Sequence, residues 1–228
     1  MNIFISGTSR GIGKAIAQHY ANESENKVFG ISRSSSDLEI SHAQLDLSET
    51  ENIEKTIKDL LKDIDQLDIV FLNAGVLGKL QTMHEADLND LKNTMDINLW
   101  AQKVLLDTLL LKNPKLVIAI SSGAAVNGNM GWSGYSLSKA ALNMLVQLYA
   151  SEFQATKFIA LAPGLVDTQM QDTISNTSAE KFPSLERLHQ ARGTEQMPSP
   201  DKFVENFIAK YQQITSIESG SFIDIRKI

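Results

Sequence analysis

The chain contains no cysteine, so disulfides and thiolate metal sites are excluded outright. It also lacks any long run of lysine or arginine, and its formal net charge is -6. A basic face for nucleic acid is therefore not expected, nor a polybasic membrane anchor. No apolar stretch approaches the roughly 20 residues needed to span a bilayer. NIFISG, from Asn2, reads as a buried strand running into a turn, with no charged segment and cleavable apolar stretch before it. His19, His42, His84 and His189 share no metal-ligand spacing, and no metal site is expected. Together these absences predict a soluble, cytoplasmic protein without nucleic-acid or membrane partners.

What is present is an ordinary globular composition, 43% hydrophobic and 21% charged over 228 residues, enough for a substantial core. Short apolar runs alternate with longer helical patterns. Strands are expected within 2–6, 27–32, 42–48, 67–75, 114–122, 157–164 and 221–225. Helical spacing marks 11–22, 53–64, 86–112, 133–153 and 201–214. Ser48 and Glu51 have the Ser-x-x-Glu form of a capping box ahead of the second helix. In the stretch 133–153, Leu137, Ala141, Leu145 and Leu148 share one apolar stripe. Such alternation implies parallel strands joined by right-handed helical crossovers. The expected architecture is a single doubly wound α/β domain of Rossmann type over 1–228, with about seven parallel strands and helices on both faces. Residues 167–199 are polar and weakly patterned, long for a connection, and suggest a lid over the site.

The chemistry-bearing residues cluster where such folds bind ligands, beyond the carboxyl ends of the strands. SGTSRGIG places Gly7, Gly11 and Gly13, with Ser9, Arg10 and Ile12 among them, between the first strand and the first helix. Glycines allow a sharp turn and close approach of a pyrophosphate, and the helix N-terminus offers free N–H groups. The second strand ends in Ser32-Arg33 and has no carboxylate there to bond ribose hydroxyls. Arg33, with Arg10 in the glycine turn, suits a 2′-phosphate, so NADP(H) is expected over NAD(H).

The whole chain resembles the short-chain dehydrogenase/reductase family. SGTSRGIG is similar to its T-G-x-x-x-G-x-G turn, with Ser6 for Thr. Asp46-Leu47 resembles its adenine-contacting pair. LNAG resembles N-N-A-G, departing at Leu72, so Asn73, Ala74 and Gly75 are the matching positions. PGLVDT resembles the nicotinamide-contacting segment, which implies cofactor roles for Pro163, Gly164, Val166 and Thr168. Asn98, Ser122, Tyr135 and Lys139 fit the family's catalytic set, Ser122 standing thirteen residues before Tyr135. VDTQMQDTISNTS and the closing SGSFIDIRKI are similar to the sepiapterin reductase and benzil reductase branch, which implies NADPH-dependent reduction of dicarbonyl-type substrates. Lys227 stands where sepiapterin reductases carry a pterin-anchoring acid, so a general carbonyl reductase is expected instead.

On this reading Tyr135 and Lys139, one helical turn apart, share a face. Lys139 is expected to draw the Tyr135 pKa down toward neutrality and to hold the nicotinamide ribose. Ser122 donates to the developing oxyanion. Asn98, by resemblance, positions a water leading to Lys139. Tyr135 then protonates a small-molecule carbonyl substrate whose pocket includes Trp132 and Met170. A 3-oxoacyl carrier-protein reductase or an alcohol dehydrogenase of the same family stays open as an alternative. So does a non-catalytic dinucleotide-binding redox sensor. The resemblance further implies a homodimer or homotetramer packed through the helices at 86–112 and 133–153.

Overall fold

Along each inner strand, alternate residues face opposite layers of helices, and this alternation sets the register of the sheet. A computed structural model describes all 228 residues. Its elements are β1 (Asn2–Ser6), α1 (Gly11–Ala21), β2 (Lys27–Ser32), β3 (Ser41–Gln44), α2 (Thr50–Leu60) and β4 (Ile69–Leu72). Next come α3 (Leu88–Met95), a π-helical turn (Asp96–Trp100), α4 (Ala101–Leu110), β5 (Leu116–Ile120), α5 (Ser133–Glu152) and β6 (Lys157–Ala162). The chain closes with α6 (Gln169–Ser175), α7 (Glu186–Ala191), α8 (Pro200–Ala209), α9 (Tyr211–Ser216) and β7 (Ser221–Asp224). The seven strands form one sheet in the order β3-β2-β1-β4-β5-β6-β7, and every pairing is parallel.

In β1, Phe4 points to the layer of α2, α4 and α5, where it joins Ile57, Leu105 and Val146. Ile3 and Ile5 point to the layer of α1 and α8, with Ile16, Phe203 and Phe207. Strands β4, β5 and β6 repeat the division: Val70, Val117 and Phe158 on one face, Phe71, Ile118 and Ile159 on the other. Fully burying one such side chain contributes about 1.5–3 kcal/mol. A one-residue slip would exchange the two faces of a whole strand, so the register is strongly held. Only β3, at the edge, is polar and partly exposed, as a blunted edge strand should be. No helix is long and apolar enough to cross a membrane.

The doubly wound sheet expected from the sequence is found. Some local expectations are not. Ser48 does not cap α2: its N–H and hydroxyl both bond Asp46 Oδ1, at 2.9 and 2.8 Å, and the helix begins at Thr50 without a side-chain cap. The helix begins one residue too late for the capping box, so Glu49 stands at its N-cap. The expected helix 86–112 is three segments, α3, the π turn and α4. The helix expected over 201–214 breaks at Lys210, whose ammonium reaches the carbonyls of Ile225 and Ile228 at 2.8 and 2.6 Å. In α5, Leu137 and Leu148 lie in solvent; Leu142, Val146 and Tyr149 instead carry the packing face.

Candidate active site

The strand order reverses between β1 and β4, and ligands in such sheets bind in the crevice at that switch point. Here the two strand ends are sewn together. Ser6 Oγ accepts from the backbone N–H groups of Asn73 and Ala74, both at 3.0 Å, and Asn73 Nδ2 donates to Ser6 O at 2.9 Å. Gly7 and Gly11 take positive φ of 82° and 57°, the left-handed region that glycine tolerates. A Cβ on Gly13 would stand 2.3 Å from Gly7 O and 2.4 Å from Asn73 Nδ2, so no larger residue fits beneath the turn.

A cleft of about 1030 Å³ opens along the carboxyl edge of the sheet. Of the residues expected to meet a dinucleotide, the glycine turn apart from Gly13, Ser32-Arg33, Asp46-Leu47, Asn73–Gly75 and the segment Pro163–Thr168 all contribute to its walls. Tyr135, Lys139 and Ser122 sit at one end, together with Trp132 and Met170. Gly13 and Asn98 lie outside the lining and act from behind it. The residues fit a dinucleotide: α1 starts at the cleft with no side-chain cap on its first turn, leaving N–H groups and the positive dipole end for an anion. At the far end, Ser32 Oγ bonds Ser34 O and His42 Nε2, each at 2.8 Å. Arg33 is exposed, and its charge helps hold the Asp46 carboxyl below the usual range, behind the larger effect of the bonds from Ser48. Arg10 reaches across the cleft mouth to Gln169 Oε1 at 2.5 Å, tying the glycine turn to α6.

Lys139 is buried without a carboxylate partner. Its ammonium donates to Ile120 O at 2.7 Å and lies 5.8 Å from the centre of the Tyr135 ring. Burial lowers its pKa from 10.5 to about 8. Tyr135 behaves differently from the sequence expectation. Burial raises its pKa, and the opposing influence comes from the Ser122 hydroxyl, not from Lys139. Desolvation of the buried phenol outweighs the Ser122 hydrogen bond, because burial disfavours the charged tyrosinate. Ser122 Oγ also accepts from Ala124 N–H at 3.1 Å, closing a short 3₁₀ turn and leaving its own proton free to donate.

Asn98 sits within the π turn, where an extra residue per turn re-aims side chains. Its Oδ1 accepts from Val76 N–H at 2.8 Å, and Nδ2 donates to Val76 O at 2.8 Å and Ser138 Oγ at 3.0 Å. Both amide protons are thus used, and only the second lone pair of Oδ1 remains. Glycine at 75 lets this backbone approach both groups closely: a Cβ on it would crowd Asn98 Oδ1 at 3.0 Å and lie 3.6 Å from Lys139 Nζ. Lys227, aligned with a pterin anchor, is exposed and lines no part of the cleft.

The weakly patterned stretch 167–199 hides an apolar cluster that was not foreseen. Ile174, Phe182 and Leu185 are buried against Leu77 and Tyr135, with Trp132, Met170 and Leu188 packed around them. Its few apolar residues are widely spaced, so no periodicity announced them. The end of the cleft holding Tyr135 and Lys139 is therefore apolar and aromatic.

Comparison with known proteins agrees with this architecture. A family model described as short chain dehydrogenase matches residues 1–179. The chain is 32% identical over 240 residues to the benzil reductase ((S)-benzoin forming) of Bacillus subtilis, covering 98% of this chain and 97% of that one. Identity to the Bacillus cereus benzil reductase is 31%, with 98% of both chains covered. The crystal structure of a short chain dehydrogenase/reductase from Saccharomyces cerevisiae superposes with a TM-score of 0.85 at 27% identity, over 98% of this chain and 95% of its own.

The buried lysine makes a thermodynamic prediction. Between pH 8 and the ordinary lysine pKa of 10.5, the unfolded chain binds a proton at Lys139 that the folded chain does not, so this residue's contribution to stability rises with pH. Urea unfolding of the wild type and Lys139→Met at pH 7.5, 9 and 10 should show the difference moving in the wild type's favour by up to about 1.4 kcal/mol per pH unit. Parallel pH dependence of the two proteins would contradict the depressed pKa.

Proposed function

The chain belongs to the short chain dehydrogenase family, on its benzil reductase branch, and from that premise we propose that it is an NADPH-dependent carbonyl reductase with Tyr135 as its proton donor. The observation that carries the reading is the convergence of Ser122, Tyr135 and Lys139 on one apolar end of the dinucleotide-sized cleft. When bound, the dinucleotide supplies a hydride to the carbonyl carbon.

The chain's own residues handle the oxygen. Ser122, whose hydroxyl already acts on the Tyr135 phenol, donates a hydrogen bond to the oxygen as negative charge builds there. Tyr135 transfers its phenolic proton to that oxygen and completes the alcohol. A tyrosine that burial keeps neutral suits reduction, because it must arrive with its proton. The Lys139 ammonium, 5.8 Å from the ring centre, stabilises the tyrosinate that remains. Its donors not used by Ile120 O hold the ribose. A water on the free lone pair of Asn98 Oδ1 returns a proton toward Lys139. Arg33 holds the 2′-phosphate, and the apolar wall of Trp132, Met170 and Ile174 takes an aromatic ketone or diketone such as benzil.

A second copy of the chain covers the outer face of α5. Leu137, Met144 and Leu148 fall on one side of that helix at spacings of seven and four, and about half of each is exposed. Exposed Trp100 belongs to the π turn that packs on the same helix. An apolar row of this kind on a surface helix fits an interface better than solvent.

Three measurements test these proposals. Tyr135→Phe should lose roughly 10²–10⁴-fold in kcat with benzil, while NADPH binding by fluorescence titration stays near the wild-type value; near-normal turnover refutes the proton donor. Arg33→Ala should weaken NADPH about tenfold, as expected for a lost phosphate contact, and leave NADH affinity unchanged. Equal affinity of the wild type for the two cofactors would remove the NADP preference. Light scattering should find the wild type as a dimer or tetramer and Leu148→Asp dissociated; a monomeric wild type excludes the interface.

A further inference from the structure

Trp132 is held from three directions. From the loop after β4, Gln81 N–H donates to Gly131 O at 3.0 Å, and Gln81 and Trp132 form an isolated parallel bridge. On its inner side the indole meets Tyr135, ring centroids 6.0 Å apart. From the stretch after β6, Ser184 Oγ accepts the indole Nε1–H at 3.0 Å and donates its own proton to Met130 O at 3.3 Å. A serine hydroxyl has one proton and can accept as well. The two bonds are therefore compatible in sense, and they fix the indole and the backbone just before it together. Phe182, fully buried, anchors the turn carrying Ser184: a Cβ on Gly131 would lie 2.7 Å from its ring. Trp132 lines the cleft, whereas Ser184 does not.

We infer that Ser184 is a positioning residue for substrate selection, acting through Trp132 to set the wall that meets the bulky substituent of the carbonyl beside Tyr135. The inference rests on the carbonyl-reductase reading above. Packing in the cluster restrains the indole by shape, and the directional bond adds a fixed orientation of its N–H edge. That bond comes from a different loop than the one carrying Trp132. Substrates small enough not to touch the indole are indifferent to it.

The test combines Ser184→Ala, Trp132→Phe, the double variant and Ser184→Thr, assayed with NADPH against benzil and against diacetyl. Loss of one net hydrogen bond predicts a KM for benzil raised roughly three- to tenfold in Ser184→Ala, with lower enantiomeric excess of the benzoin formed. Kinetics with diacetyl should be unchanged, and Ser184→Thr should restore both benzil readouts. In the Trp132→Phe background, which lacks the donor, Ser184→Ala should change nothing further. Unaltered benzil KM and enantiomeric excess in Ser184→Ala overturn the inference, as does an effect that persists undiminished in the Trp132→Phe background. A separate readout needs no turnover. In a Trp100→Phe background the emission anisotropy of Trp132 should fall on Ser184→Ala, and an unchanged value overturns the positioning role. A wild type inactive on both carbonyls refutes the preceding reading instead, and the anisotropy then still decides the question of position.

Discussion

The cleft exists because two strand ends, β1 and β4, are held within hydrogen-bond distance at the point where the sheet changes direction. Ser6 and Asn73 do this directly, with three bonds between side chain and backbone. Their closeness forces the chain after β1 into the left-handed region at Gly7 and forbids a side chain at Gly13. The start of α1 is then presented to the crevice with its N–H groups free. A stronger cap on α1 would stabilise the helix by about 1 kcal/mol and occupy the place where an anion binds. The fold leaves that helix end unsatisfied where it is most useful.

The same trade recurs at Lys139. An ammonium buried without a carboxylate is unfavourable to the folded chain, as its lowered pKa records. A neighbouring Asp would relieve it, but would also repel the negative charge that the proposed proton transfer places on Tyr135 and the carbonyl oxygen. The single bond to Ile120 O satisfies one donor and leaves the others directed to the site. Tyr135 is kept protonated by the same desolvation. One apolar wall thus tunes an acid and a cation in opposite directions, raising the first and lowering the second.

Much of this was legible in the sequence where local rules and tertiary demands coincide. Apolar runs such as IVFL and LVIAI lie in inner strands of a parallel sheet, and the glycines of SGTSRGIG mark the turn that the switch point requires. Legibility failed where a partner outside the local pattern intervened. Ser48 turned to Asp46 rather than to α2. The helix through Asn98 is interrupted by a π turn that no residue type announces, and Asn98 bonds Val76 and Ser138 from within it. The apolar stripe read on α5 includes residues that face solvent, because helical periodicity reveals an apolar face and not what covers it. In the stretch 167–199, Phe182 and Leu185 were invisible for the opposite reason: they contribute to a core assembled from three loops, each supplying too few residues to show a period.

That three-loop cluster and the helix beneath it explain how one element serves several purposes. Helix α5 packs Leu142 and Val146 into the sheet layer, turns Tyr135 and Lys139 toward the cleft, and leaves Leu137, Met144 and Leu148 outside. The first of these contacts is dictated by the core and varies little without loss of stability. The placement of Tyr135 and Lys139 answers to the proposed proton transfer. Trp132, immediately before the helix, is bound instead by the loops after β4 and β6. Loops tolerate change better than the elements they connect. On the proposed reading, selectivity would shift through the partners of Trp132 while α5 keeps Tyr135 at a constant distance from the sheet, so that two rings 6.0 Å apart answer to separate contacts.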